Sequence, residues 1–139
     1  MEPITLPVNF NWVKSRGDCS IAAIFKALEL GVCADVDAVK VLLRPEGGST
    51  FSIVASYKRF SVIREEAASS KSPLGSSRDV NFVLEGHEIV ISEGNRERFK
   101  ATITLNNEGQ CKLVVGQNEL EQWQVRRMAL EELFFGQHG

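Results

Sequence analysis

Two histidines and three cysteines in 139 residues leave few side chains able to act as nucleophiles or transition-metal ligands. Cys19 is the first to consider because of its position. It follows Gly17 and Asp18, and after Ser20 comes an apolar stripe of helical spacing. At the head of a helix, free backbone N–H groups and the helix dipole stabilise a thiolate, while the negative charge of Asp18 next to it opposes that effect. A thiol nucleophile also needs a base to take its proton and return it later. His87 is the candidate, with Asn95 or Asn106 to orient its ring.

Gly17-Asp18-Cys19-Ser20 at a helix head, followed by Gly86-His87-Glu88-Ile89 at the start of a later strand, resembles the residue order of papain-like cysteine hydrolases. That resemblance implies a thiol-dependent hydrolase using Cys19 and His87. The other reading makes Cys19 a small buried residue and His87 part of a turn. It is preferred here, so no catalytic residue is assigned. His138 lies in the terminal tail, and no short His/Cys spacing marks a metal site. The glycines match neither phosphate-cradling pattern. No metal and no cofactor are expected.

The elements that would position these residues follow from periodicity. Ile21, Ile24, Phe25 and Leu28 share one helical face, with Asp18 or Ser20 as the N-cap. Gly31 has the character of a helix stop and Asp35 that of a new cap, but the stripe continues through Val32, Val36, Val39 and Leu43. One long or kinked helix, ended by Pro45, is therefore expected. From Phe51 the period changes to two. Phe51, Ile53 and Ala55, then Phe60 and Val62, indicate two strands. Val80 to Leu84, Ile89 to Ile91, Phe99 to Leu105 and Cys111 to Val115 indicate four more, joined by Gly- and Asn-containing turns. Residues 66–78, rich in Ser with Pro73 and Gly75, are expected to form a mobile loop. Asn118 is expected to cap a last helix, with Glu121 completing a capping box and Leu120, Trp123, Leu130, Leu133 and Phe134 on its apolar arc.

The expected fold is a single α+β domain over residues 1–139. It is an antiparallel meander of five or six strands covered by a long N-terminal and a C-terminal helix. Sixteen basic against eighteen acidic residues, for a net charge of -2, argue against nucleic acid as a partner. Arg96, Arg98 and Lys100 alternate as a basic stripe, but acidic neighbours make a solvated face the simpler reading. Arg126 and Arg127, beside the apolar arc, either edge the core or meet a partner. No apolar run is long enough for a membrane span. An odd number of widely spaced cysteines suits a reducing compartment, and the N-terminus lacks signal-peptide character, so a cytoplasmic location is expected.

The layout resembles that of small dimeric chaperone or adaptor proteins, a likeness of architecture alone. The functional expectation is a non-catalytic binding or adaptor module for a protein partner or a small apolar ligand, compatible with a homodimer. The alternative is the thiol-dependent hydrolase.

Overall fold

The computed structural model describes residues 8–43, 49–67 and 75–136. Its elements are α1 (Trp12–Asp18), α2 (Ile21–Leu42), β1 (Ser49–Ser56), β2 (Arg59–Glu66), β3 (Ser76–Glu85), β4 (Glu88–Glu93), β5 (Arg96–Leu105), β6 (Cys111–Val115), β7 (Asn118–Leu120) and α3 (Gln122–Phe135). The strands form one antiparallel sheet in chain order, β1 to β7. The expected α+β meander is present, with seven strands instead of five or six.

Strand alternation sends Phe51, Phe60, Val62, Val80, Phe82, Ile89, Ile91, Ala101 and Leu113 into the core. Register aligns them, with Phe60 opposite Phe82, Phe82 opposite Ile91, and Ile89 opposite Ala101. From α2 come Phe25, Leu28, Val32, Val36 and Val39, and from α3 Val125, Ala129, Leu130, Leu133 and Phe134. Phe60 joins the layers, its ring 5.1 Å from that of Phe25 and 4.6 Å from that of Phe82.

Ser20 caps α2, its hydroxyl oxygen accepting from the Ala23 N–H at 3.1 Å. The helix then runs unbroken for 22 residues, through Gly31. It ends at Leu42, and residues 44–48, which include Pro45, lie outside the described residues.

Three expectations need correction. Asn118 does not cap the last helix: residues 118–120 pair with β6 as β7, and Glu121 is the N-cap, its carboxylate and Gln124 forming the reciprocal capping box. The polar run at 118–121 reads as a helix start, and only the β6 neighbour makes its first part a strand. The Ser-rich loop is shorter than 66–78, because Glu66 pairs with Ser76, Glu65 with Ser77 and Arg64 with Arg78. Residues 68–74 of that segment lie outside the described residues. Trp123 does not pack on the sheet and is 53% exposed.

Phe134, by contrast, is 7% exposed and meets the Phe51 ring edge-on at 5.4 Å. Phe134→Ala should lower the unfolding free energy by about 3 kcal/mol through lost burial and the cavity left behind. Trp123→Ala should cost under about 1 kcal/mol, as expected of a surface change. Chemical denaturation of both variants checks this, and equal losses would contradict the placement of α3.

Candidate functional site

Besides its apolar packing, α3 is held by polar contacts that the sheet supplies. In α3 the last carbonyls have no helical partner, and the Arg64 guanidinium donates to two of them, Leu133 O at 2.8 Å and Phe134 O at 3.3 Å. Arg98 donates to Ala129 O at 2.9 Å and Met128 O at 3.1 Å. It reaches them because β5 slips register against β4, Ile91 facing Phe99 while Ser92 faces Glu97. Arg98 is the extra residue of this bulge, which turns its side chain toward the helices. Arg96, Arg98 and Lys100 therefore do not form a continuous basic stripe, and Lys100 faces Glu88 at 3.5 Å.

Between the helices, Arg126 crosses α2 and its Nε donates to Asp35 at 2.7 Å. A Cβ on Gly31 would stand 2.6 Å from the Arg126 guanidinium, so glycine makes room for this crossing. The ion pair borders a groove of about 390 Å³, which lies between the C-terminal half of α2 and the length of α3 from Trp123 to Phe135. Val39, Leu130 and Phe134 form its buried floor, and Leu42, Trp123 and Phe135 are exposed along its sides. Each of its two cations is matched by an anion, Arg126 by Asp35 and Arg127 by Glu131, the latter pair at 2.7 Å. The hydrogen bond that Arg127 donates to Glu131, and then the Glu131 charge, raise the pKa of Arg127 above its ordinary value. A concave, mainly apolar cleft between helices can hold a small apolar molecule.

Sequence reasoning assigned Trp123 to the core and missed the groove. The signal was a second stripe on α3. Trp123, Arg127, Glu131 and Phe135 recur every fourth residue, on a face distinct from that of Val125, Ala129 and Leu133.

The thiol candidates take another arrangement. Cys19 is bonded to Cys111, 92 positions away, and its sulfur lies 3.7 Å from Thr104 O. The expectation that all three cysteines remain unpaired is thus corrected. The pairing escaped the sequence reading because it joins the α1–α2 junction to the start of β6, a proximity that only the folded sheet creates. Cys33 is free. Cys19 also has a different local setting from the one expected. It closes α1, its N–H donating to Ser15 O at 3.0 Å, so it stands at the negative end of a short helix as well as just ahead of α2.

His87 is exposed in the two-residue turn between β3 and β4, and β5 separates β4 from the strand carrying Cys111. Asn106 is occupied, its side-chain oxygen accepting from the Glu108 and Gln110 N–H groups at 2.9 Å each. Asn95 lies in the β4–β5 turn, at the other end of β4 from His87. Among the described residues, no group of three or more His, Cys, Asp or Glu side chains converges as a metal site would require. No family model, curated protein or solved structure matches the chain.

Closing a loop this long restricts the unfolded chain by about 4–5 kcal/mol of entropy in the loop-closure account. Cys19→Ser, or reduction with a dithiol, should therefore lower the unfolding free energy by several kcal/mol, far more than loss of a buried thiol. Coincident denaturation curves with and without reductant would contradict a stabilising bond.

Proposed function

We propose that the protein is a non-catalytic binding module that holds a small, uncharged apolar ligand in the groove between α2 and α3. The observation that carries this reading is the groove itself. Its volume falls within the range of small-molecule sites, and exposed Trp123, Leu42 and Phe135 give it unusually apolar walls for a surface feature. Because its cations and carboxylates are already matched, a charged ligand would have to displace one partner of a pair, whereas a neutral ligand leaves both pairs intact. A small ligand is favoured over a protein partner by the limited size of the cleft.

The thiol-hydrolase alternative receives no support from this arrangement, since the Cys19 sulfur is engaged with Cys111 and does not present a thiolate. The same bond fits an oxidising compartment better than the cytoplasm expected from the cysteine count. No helix among the described residues is long and apolar enough to cross a membrane. Nucleic acid is not part of the proposal, because a net charge of -2 supplies no general attraction to phosphate.

Nile red, a neutral apolar fluorophore, tests the reading. It should bind with enhanced emission and be displaced by 1-decanol more readily than by decanoate. Ala38→Trp, at an exposed position on the groove wall, should fill the cleft and abolish binding while the circular dichroism spectrum is unchanged. Undiminished Nile red binding by a folded Ala38→Trp variant would overturn the proposal.

A further inference from the structure

The two edges of the sheet differ in kind. β7 is three residues long and carries Glu119, the short charged edge by which a sheet ordinarily avoids pairing with other chains. β1, at the opposite edge, is eight residues long and reads Ser-Thr-Phe-Ser-Ile-Val-Ala-Ser. It has no charge and no proline, while each of the other six strands carries at least one charged residue. Among the described residues, nothing pairs with its outer edge. Water can satisfy the backbone N–H and C=O groups there, and the group that can replace water along the whole row in register is another extended strand.

The composition of β1 also indicates which strand. Placed antiparallel to a copy of itself about a two-fold axis, β1 brings Ser, Thr, Ile, Val and Ala opposite one another. No like charges meet, and β-branched residues form favourable cross-strand pairs. On the open face, Thr50, Ser52, Val54 and Ser56 are all exposed, so no side chain bars the approach. Val54 is 57% exposed and Tyr57, in the turn that follows, is 87% exposed; both would be covered by a neighbouring strand. On the inner face Phe51 is already sealed by Phe134 and by the Arg64 guanidinium, 5.4 Å from its ring centre, so the strand is held in shape before any partner arrives.

We propose that the free edge of β1 is the interface of a symmetric homodimer, in which β1 of one chain pairs antiparallel with β1 of a second copy to join two seven-stranded sheets. Pairing β1 with β1 closes the assembly, because each copy uses the same edge, whereas pairing β1 with β7 would propagate without limit. The short charged β7 disfavours that second course. This inference is independent of the ligand groove.

Sedimentation velocity over a concentration series, with hydrogen exchange at low and high concentration, tests it. The wild type should sediment as a dimer at high concentration, with backbone amides of residues 49–56 exchanging more slowly than in the dilute protein. Ser52→Lys/Val54→Lys, which places two lysines on exposed positions of the edge strand, should be monomeric with an unchanged circular dichroism spectrum and a thermal midpoint close to that of the dilute, monomeric wild type. Ala38→Trp, in the groove, should remain dimeric. A wild type that stays monomeric throughout the series, or a folded double-lysine variant that still dimerises, would overturn the proposal.

Discussion

One face of a seven-stranded meander is apolar and must be covered, and here two helices far apart in the chain share that task. Burial of their apolar stripes on that face places both helices, and where they meet the ion pair between Asp35 and Arg126 spans α2 and α3 at the point where Gly31 lacks a side chain. Glycine inside a helix costs about 1 kcal/mol relative to alanine. What it gains is a shallow channel through which the Arg126 side chain crosses α2 to a carboxylate one turn further on. Alongside this contact the helices leave the groove open, with its floor continuous with the core.

The sheet contributes to this arrangement through its arginines as well as its apolar side chains. Arg64 satisfies the C-terminal carbonyls of α3, and Arg98, redirected by the β5 bulge, reaches carbonyls nearer the middle. With these anchors, α3 can keep one stripe in the core and leave Trp123, Arg127, Glu131 and Phe135 on the surface. The far side of the sheet is organised differently. Asn81 is 2% exposed, yet its side chain accepts from Arg59 and Ser61 and donates to Asp79. Its burial is tolerated because these partners replace water.

Much of the fold was legible in the chain. Alternation from Phe51 to Leu113 located six strands and most of their inward residues, Ala55 and Cys111 being exposed at strand ends, and the period from Ile21 to Val39 located α2. What escaped notice depends on neighbours. α1 buries no residue and is held by its own Asn11 cap and Lys14–Asp18 pair, so no apolar period announced it. β7 is defined by its pairing with β6 alone. Cys19 and Cys111 carry no spacing that predicts their meeting. The site was less legible than the fold, because Trp123 and Phe134 both looked like core residues and only docking of α3 sends one outward and the other inward.

If the surface between α2 and α3 takes a neutral apolar molecule, as proposed, its occupation must perturb the residues that line it. Amide and indole chemical shifts of the isotopically labelled protein, followed by NMR through a titration with 1-decanol, test this most directly. The account predicts saturable shifts in residues 35–42 and 123–135, with the Trp123 indole among the largest, and little change around Cys19, His87 or Asn81. Shifts that fail to saturate, or that centre elsewhere in the fold, would contradict it.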